Sequence, residues 1–262
     1  MKSVIFYFSG TGNSLKIAKD ISIGLKNAKL IKINSTTNEI VGNLNDFDII
    51  GFVYPVYFLD IPKIVYDFVL NLNIKNNTYI FSVANCGDDE GIAIHTMDKI
   101  LKNKDSKLNA NFVLKMPDNS IVYSTTDEQK KAMFENQKQM IPYIIETINN
   151  KKDITLVKKN NFKISMTKKI MILVMKLYFR YHKKSVSENL CNKCTICVNF
   201  CPTKNITFTD EKIKFNSKCA DCFGCIHWCP KNAILFGKIK ILNNQYHHPD
   251  IKLSDLIKTG EL

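Results

Sequence analysis

Residues 2–14 read KSVIFYFSGTGNS, and this stretch decides the fold of the first half of the chain. An apolar strand runs directly into a glycine-rich loop, and the residues that follow, LKIAKDISIGLK, carry apolar side chains at helical spacing. In a strand–loop–helix unit the loop amides and the helix N-terminus point at an anion. The sequence therefore predicts an anion site here, with an ordinary strand-to-helix turn as the alternative.

The composition of this loop indicates that the anion is a phosphate monoester. The loop contains neither the lysine-bearing P-loop pattern nor the G-x-G-x-x-G pattern of dinucleotide sites. It offers hydroxyl groups and one side-chain amide instead, which are neutral donors. The residues predicted to contact the phosphate are Ser9, Gly10, Thr11, Gly12, Asn13 and Ser14.

Strand and helix patterns then alternate through residue 149. Apolar segments predict further strands at 30–33, 49–53, 79–83 and 112–116, and helices around 61–72, 92–103 and 127–149. Thr126 and Gln129 form a capping-box pattern ahead of the last helix. This alternation predicts an α/β fold, a doubly wound five-stranded parallel sheet whose ligand lies at the carboxyl ends of the central strands.

The SGTGNS loop and the strands after it resemble the flavodoxins, which bind FMN. The resemblance implies a flavodoxin-like fold with the flavin ring between two loops, YPVYFLDIPK at 54–63 and ANCGDDEG at 84–91. The implied ring contacts are Tyr54, Pro55, Val56, Tyr57, Asn85, Cys86, Gly87 and Asp88. Tyr57 or Tyr54 would stack on the ring, with core packing as the alternative for each, and Cys86 is interpreted as a small loop residue. Flavodoxins usually place an aromatic residue in the second loop, so its absence implies a ring face that is open or covered by the other domain.

Eight of the nine cysteines form two identical patterns, CNKCTICVNFCP at 191–202 and CADCFGCIHWCP at 219–230. In the spacing C-x2-C-x2-C-x3-C-P, three cysteines bind one [4Fe-4S] cluster and the fourth binds the other cluster. The first predicted group is Cys191, Cys194, Cys197 and Cys229, and the second is Cys201, Cys219, Cys222 and Cys225. A zinc site and a disulfide framework are the alternatives. Neither alternative explains why each pattern has a third cysteine at the same three-residue interval, or why each pattern ends in Cys-Pro.

The repeat extends beyond the ligands, because CPTKNITFTDEKIKF and CPKNAILFGKIKI both continue into a strand-like segment. Over residues 187–240 the chain resembles the bacterial two-cluster ferredoxins, which implies a small α+β domain with pseudo-twofold symmetry. His227 and Trp228 are expected to sheathe a cluster, with a tuning or relay role as the alternative.

A bridge at 151–186 joins the two halves, and its segment MTKKIMILVMKLYFRYHKK, residues 166–184, predicts a basic amphipathic helix. The predicted basic stripe is Lys169, Lys176, Arg180 and Lys183, and the apolar residues elsewhere on the wheel are Ile172, Leu173, Met175 and Phe179. The main interpretation is that the apolar face packs between the domains. Docking of an acidic redox partner and contact with an anionic membrane surface are the alternatives. In the tail at 241–262, Ser254 is predicted to cap a short final helix.

The net charge of +13 does not indicate a nucleic-acid partner. Residues 151–184 contain eleven Lys or Arg and one acid, so this segment holds +10 of that charge. Two oxidised clusters with their thiolates, about −2 each, and a flavin phosphate would offset much of the total. The first eight residues, MKSVIFYF, contain too short an apolar run for a secretory signal, and no stretch reaches the length of a membrane span. A reducing cytoplasm is the expected compartment.

The chain as a whole resembles the flavodoxin–ferredoxin fusion proteins of anaerobes, the EFR-type ferrodoxins. The resemblance implies a flavodoxin-like domain at 1–150, a linker with the basic helix at 151–186, a ferredoxin domain at 187–240 and a tail at 241–262. It also implies electron relay between FMN and two [4Fe-4S] clusters and onward to a redox partner, such as an acidic ferredoxin or flavodoxin. No general acid or nucleophile is evident in the sequence, which favours a carrier. The alternatives are a ferredoxin-fed flavin reductase of a small organic acceptor and a flavin-free docking subunit of a redox complex.

Overall fold

The structure is a computed structural model, and it describes residues 1–37, 44–75, 77–154, 166, 170, 173–174, 177–178, 181, 183–238, 241 and 245–257. The first part contains the strands β1 (Ser3–Tyr7), β2 (Lys29–Lys32), β3 (Ile49–Pro55), β4 (Tyr79–Cys86) and β5 (Ala110–Lys115). Its helices are α1 (Asn13–Gly24), α2 (Lys63–Asn71), α3 (Ala93–Lys102) and α4 (Asp127–Asn149).

The five strands form one parallel sheet in the order β2-β1-β3-β4-β5, which confirms the predicted doubly wound α/β fold. Every residue of β1, β3 and β4 is buried, as expected for central strands covered by helices on both faces. β3 and β4 are longer than predicted because their pairing continues through Tyr54 with Ala84 and Pro55 with Asn85. From β1 the chain adds β2 on one side of the sheet, and from β3 it adds β4 and β5 on the other side. The carboxyl ends of β1 and β3 therefore flank the crevice where ligands bind in such sheets.

The capping box at the start of α4 is confirmed. The Thr126 hydroxyl accepts a hydrogen bond from the Gln129 amide at 3.3 Å, and the Gln129 side chain accepts one from the Thr126 amide at 2.9 Å. The two bonds satisfy donors that an uncapped helix would leave unpaired, so α4 begins at the predicted residue.

The second part is a small α+β unit. Its strands β6 (Lys184–Val186), β7 (Ile206–Thr209), β8 (Lys212–Phe215) and β9 (Ile234–Phe236) form two antiparallel pairs, β6 with β9 and β7 with β8. Its short helices are α5 (Ile196–Phe200) and α6 (Gly224–His227). Phe200 and Cys222 pack into the hydrophobic core of the first part, so the two parts share a buried interface.

The predicted packing of the apolar face of the linker helix between the domains stays a prediction, because three of its four apolar residues lie outside the described residues. Leu173, the described member of the predicted apolar set, is 57% exposed, and Lys183 is exposed as well. The other residues of the two predicted stripes, Lys169, Lys176, Arg180, Ile172, Met175 and Phe179, lie outside the described residues. Among the described residues no helix is long and apolar enough to cross a membrane.

The final helix, α7 (Leu253–Ile257), begins two residues earlier than a cap at Ser254 allows. Ser254 lies in its first turn, so the prediction that Ser254 caps it was wrong. Asp255 has the capping role instead, because its carboxylate accepts a hydrogen bond from the Lys252 amide at 3.2 Å.

Candidate cofactor sites

A cavity of about 470 Å³, the cofactor cavity, lies at the carboxyl ends of β1, β3, β4 and β5. It occupies the crevice that the sheet topology predicts. The predicted residues in its wall are Ser9, Gly10, Thr11, Asn13, Ser14, Pro55, Val56, Tyr57, Asn85, Cys86, Gly87 and Asp88. Two predicted residues, Gly12 and Tyr54, are not among its described wall residues.

The phosphate loop, residues 9–14, turns tightly from β1 into α1. Gly12 has φ 106°, a left-handed conformation that favours glycine, and its amide donates to the Ser9 hydroxyl at 3.1 Å. The helix therefore begins with its N-terminal amides beside the cavity. The Ser14 hydroxyl accepts a hydrogen bond from the Asn85 side chain at 2.7 Å, which joins this loop to the end of β4.

Asn13 is a structural link as well as a wall residue. Its side-chain amide donates to the carbonyl of Pro117 at 2.9 Å, and its side-chain oxygen accepts from the Tyr246 hydroxyl at 2.6 Å. These bonds hold the loop after β5 and the C-terminal tail against the phosphate loop. The hydroxyls of Thr11 and Ser14, together with the helix amides, are thus the donors best suited to an anion.

The two candidate stacking tyrosines occupy different environments. Tyr57 lines the cavity, its ring lies edge-on to Phe8 at 6.2 Å, and its hydroxyl accepts a hydrogen bond from Asn119 at 3.2 Å. Burial raises the pKa of Tyr57 well above its usual value, so the phenol stays protonated. Tyr54 is fully buried within β3 and its side chain belongs to the core. The structure brings Tyr57, and not Tyr54, to the cavity.

Carboxylates dominate the charged part of the wall. Asp88 and Asp89 follow β4, Asp118 follows β5, and Asp221 lies in the second part of the chain, the small α+β unit, which is also called the ferredoxin-like unit. Burial raises the pKa of Asp118, while the backbone amides of Ser120 and Asn119 oppose that rise. The described wall contains no Lys or Arg, so the anionic end of a ligand is favoured at the neutral phosphate loop. Burial also raises the pKa of the Cys86 thiol to about 11, which leaves it protonated and unreactive at neutral pH.

The loop after β5, residues 116–123, contributes a large share of the wall and was not predicted from the sequence. Met116, Pro117, Asp118, Asn119 and Tyr123 all line the cavity. The available signal was the end of the fifth predicted strand, because carboxyl ends of parallel strands meet at one edge of a sheet.

The second part of the chain closes one side of the cavity. Asp221 and Phe223, which flank Cys222, line it, and so does Tyr178 of the linker helix. The expectation of a ring face covered by the other domain is consistent with this wall, which supplies the aromatic side chain that the loop at 84–91 lacks.

The cysteines lie around two separate small cavities. The first cysteine group consists of Cys191, Cys194, Cys197 and Cys229, which line one cavity together. The second cysteine group consists of Cys201, Cys219, Cys222 and Cys225, which line the other. Each group thus takes three cysteines from one pattern and the fourth from the other pattern, as the sequence-based assignment has them. Among the described residues no three His, Cys, Asp or Glu side chains lie close enough together to hold a single metal ion.

The backbone repeats around the two groups. The amides of Lys193 and Asp221 each donate to the sulfur two residues earlier at 3.4 Å. The amides of Asn205 and Ala233 each donate to the sulfur four residues earlier, at 3.2 and 3.3 Å. Left-handed residues recur at matching positions, for example Thr195 and Phe223. N–H···S bonds stabilise thiolates, so both groups fit the anionic ligands of a [4Fe-4S] cluster.

Burial and mutual repulsion disfavour free thiolates in both cysteine groups. Burial, together with the negative charges of Cys219 and Cys201, raises the pKa of Cys222 to about 12. In the first group, burial and Cys229 raise the pKa of Cys197 to about 11. A bound metal centre stabilises such thiolates, and four cysteine sulfurs are the donor set that a [4Fe-4S] cluster requires.

Two buried lysines lie beside the second cysteine group, and the sequence analysis singled out neither. The Lys184 ammonium donates to the Cys219 sulfur at 3.2 Å and pairs with Asp221 at 3.3 Å, and its side chain is only 6% exposed. Lys32, at the end of β2, is buried next to the Phe200 ring, and its ammonium donates to the carbonyl of Leu256. Burial lowers the pKa of Lys32 to about 8, while Cys222 and Cys201 raise it. No sequence signal marks these two lysines, because 36 of the 37 basic residues are Lys.

The second cysteine group contacts the phosphate loop directly. A Cβ added at Gly10 would lie 2.7 Å from the carbonyl oxygen of Cys222 and 3.0 Å from the Tyr57 hydroxyl, so only glycine permits this approach. The Asn119 side chain donates to the same Cys222 oxygen at 3.1 Å. Phe223 lines both the cofactor cavity and the second cysteine cavity, so one ring separates the two.

His227 and Trp228 join the two parts of the chain. His227 is fully buried, and burial lowers its pKa, which keeps the imidazole neutral. Its Nδ1 accepts from the Tyr246 amide at 3.1 Å, so its Nε2 carries the proton and donates to the Asn119 carbonyl at 2.9 Å. Trp228 Nε1 donates to the Gly10 carbonyl at 3.0 Å. Both residues therefore join the two parts of the chain, in addition to the expected role of covering a cluster.

The C-terminal tail crosses the phosphate loop. The His248 amide donates to the Thr11 carbonyl at 2.9 Å, and a Cβ at Gly12 would meet the Cβ atoms of His248 and Ile251 at 3.0 Å. His247 stacks on Trp228 with ring centroids 3.8 Å apart. The tail thus fastens the phosphate loop to the ferredoxin-like unit.

Comparison with known protein families agrees with both halves. A family model described as a flavodoxin domain matches residues 4–140, and a model described as a 4Fe-4S dicluster domain matches residues 158–234, which include all eight cysteines. A search of the curated proteins finds no match.

Several solved structures resemble the first half at low identity. A flavodoxin from Megasphaera elsdenii is 20% identical, covers 52% of this chain and 98% of its own, and has a TM-score of 0.36. A Streptococcus pneumoniae flavodoxin is 15% identical, covers 55% and 99%, and has a TM-score of 0.35. A Lactobacillus acidophilus flavoprotein in complex with FMN is 14% identical, covers 43% and 92%, and has a TM-score of 0.36.

Proposed function

This chain belongs to the flavodoxin domain family over residues 4–140 and carries a 4Fe-4S dicluster domain over residues 158–234, and we propose that it relays electrons between FMN and two [4Fe-4S] clusters. The two domains make it an electron-transfer flavo-iron-sulfur protein. FMN supplies a centre that takes up two electrons or one, whereas each cluster supplies a one-electron centre. The chain's own residues must then hold these centres close together and keep water from the path between them.

The phosphate loop is the proposed site of the FMN phosphate. Thr11, Ser14 and the first amides of α1 supply neutral donors, and the acidic remainder of the wall favours the anion at this end. Tyr57 forms one wall for the ring, with its orientation fixed by Asn119 and Phe8. A cavity of about 470 Å³ is large enough for a ligand of this class.

The observation that carries the proposal is the contact of the second cysteine group with the cofactor cavity. Phe223 separates the two sites, and the Cys222 carbonyl touches Gly10 of the phosphate loop. The described lining of the first cysteine cavity shares no residue with the cofactor cavity. The proposed order is therefore cofactor cavity, second group, first group and then the external partner. It rests on the residue that the two cavities share, because each group has one exposed cysteine, Cys194 and Cys219.

The test begins with anaerobic purification and analysis of iron, sulfide and flavin. In a rapid-mixing experiment the clusters are reduced first, and the reduction of the flavin is then measured with time. We expect a rate that is independent of protein concentration, because the transfer is intramolecular. A rate proportional to protein concentration would contradict the relay.

A pair of variants tests the order of the centres. Cys201→Ala removes a ligand of the second group and should abolish the fast intramolecular phase. Cys194→Ala removes a ligand of the first group and should preserve it. The reverse result would show that the first group is the one adjacent to the flavin.

A further inference from the structure

The described residues of the linker helix form one apolar stripe. Helical residues at 166, 170, 173, 174, 177, 178 and 181 follow the spacing i, i+4, i+7, i+8, i+11, i+12 and i+15, which places them on one helix face. The members of this apolar stripe are Met166, Ile170, Leu173, Val174, Leu177, Tyr178 and Tyr181. Their exposures range from 49% to 83%, so much of the stripe is open to solvent, and Tyr178 is the member that also borders the cofactor cavity.

Exposure of this kind is unusual for a soluble surface. Single exposed apolar residues are common, whereas a continuous row of large aliphatic and aromatic side chains indicates a surface that another phase or molecule covers. The stripe spans about 22 Å at 1.5 Å per residue, which is shorter than the roughly 30 Å apolar layer of a bilayer. A helix of this length can lie in a membrane interface but is too short to cross the bilayer.

The charge of the segment identifies the surface that it fits. Residues 166–183 contain five Lys or Arg and no Asp or Glu, within a segment, 151–184, that carries +10 of the net +13. Large aliphatic side chains beside lysines, with tyrosines near one end, are typical of helices that lie on anionic lipid. An acidic protein partner would also attract the lysines, but it would not by itself require a row of seven exposed apolar side chains.

We propose that the apolar stripe lies on an anionic phospholipid surface, with its helix parallel to the bilayer plane. The aliphatic side chains enter the interface, and the positive charge of residues 166–183 attracts the lipid phosphates. Lys184, the first residue of β6, follows this segment and donates to Cys219, so the lipid contact would hold the second part of the chain at the membrane surface. Tyr178 also lines the cofactor cavity, so the proposed contact borders that cavity.

The test is flotation of the full chain, purified anaerobically with its cofactors, on vesicles. One set contains phosphatidylcholine alone, and the other contains about one third phosphatidylglycerol. We expect the chain to float with the anionic vesicles, to dissociate as salt is added, and to stay unbound to the neutral set. The double variant Leu173→Asp with Leu177→Asp should lower the partition coefficient between anionic vesicles and water at least about tenfold. The double variant Lys176→Glu with Arg180→Glu should lower it by a similar factor.

Ile23→Asp is the matched control, because Ile23 is an equally apolar residue on α1 with 71% exposure and lies outside the stripe. It should float like the unaltered chain. Equal binding to both vesicle sets, no binding to either, or an equal loss in the control would overturn the proposal. Absence of flotation, combined with slower reduction of Leu173→Asp by an acidic ferredoxin, would instead assign the stripe to a protein partner. Iron and flavin contents are measured on every variant, so failure here is distinct from failure of the relay.

Discussion

The indole nitrogen of Trp228 donates a 3.0 Å hydrogen bond to the carbonyl oxygen of Gly10, across 218 positions of sequence. Trp228 precedes Cys229, a ligand of the first cysteine group, and Gly10 lies in the phosphate loop. One bond therefore ties the backbone of the flavin site to the backbone of the cluster domain. The contact between Gly10 and Cys222 adds a second tie at the same point.

Trp228→Phe should weaken FMN binding without loss of iron. The change keeps an aromatic ring for His247 to stack on but leaves the buried Gly10 carbonyl without its donor. An unpaired buried carbonyl costs about 1–3 kcal/mol, so we expect a dissociation constant for FMN that is roughly five- to a hundredfold higher. Flavin titration followed by fluorescence measures it. Tyr143→Phe, on the far side of α4 where the ring is half-exposed, is the control, and an equal change there would contradict the assignment.

The sequence predicted the sheet because each central strand is mostly apolar and the loops between strands carry polar and glycine residues. The capping box at Thr126 and Gln129 could also be predicted, because its two hydrogen bonds join residues three positions apart. Tyr54 and Tyr57 could not be separated from the sequence. Both lie near the end of β3, and only the pairing of Tyr54 with Ala84 shows that the strand continues past it and buries its side chain.

The cysteine spacing specified the two groups because the ligands lie in two short segments whose backbone repeats. The buried lysines and the tail contacts join different segments of the chain, for example Lys184 with Cys219, which are 35 positions apart. No local pattern encodes such pairs. In a chain whose cations are almost all lysine, burial in the folded protein is the only feature that distinguishes Lys184 from its neighbours.

Thr11→Val should separate phosphate recognition from ring recognition. Valine keeps the shape and the backbone bond to His248 but removes the hydroxyl from the cavity wall. One hydrogen bond to a charged group contributes about 1.5–3 kcal/mol, so FMN affinity should fall by at least about tenfold. Riboflavin lacks the phosphate, and its affinity should stay unchanged. Calorimetry with both ligands measures the difference, and equal losses would place the phosphate elsewhere.

Cys201→Ala should remove the cluster of the second group, although Cys201 lies in the first sequence pattern. The cavity that Cys201 lines contains Cys219, Cys222 and Cys225. We expect loss of about half of the iron, with the remaining signal in electron paramagnetic resonance belonging to the first group. Cys229→Ala is the matched variant and should leave the complementary signal. If the two variants lose the same cluster, the crossed arrangement is incorrect.

Lys184→Met should lower the reduction potential of the second cluster. The lysine ammonium lies 3.2 Å from a ligand sulfur in a buried position, and a cation there stabilises the more negative, reduced state. Allowing for partial compensation by Asp221, the shift should be on the order of 100 mV. Lys193→Met is the control, because Lys193 is half-exposed and paired with Glu211 beside the first group. A redox titration that shows equal shifts in both variants would remove this role from Lys184.

The tail should open as pH falls, and His248 should be the cause. Its ring is buried against Phe134, its Nδ1 accepts from the Asp250 amide, and its Nε2 has no partner among the described residues. Burial lowers its pKa from 6.5 to about 4, although the Asp250 carboxylate raises it, and the Lys16 ammonium lowers it further. An open tail binds the proton more readily than a closed one. The closed state therefore keeps its full stability above about 6.5 and loses stability between about 6.5 and 4. Between about pH 7.5 and about pH 5.5 the open fraction should rise roughly tenfold. Hydrogen exchange of the tail amides, corrected for the intrinsic pH dependence, measures this fraction. His248→Gln should abolish the rise, whereas His247→Gln should retain it, and a rise that persists in His248→Gln would assign the pH dependence to another group.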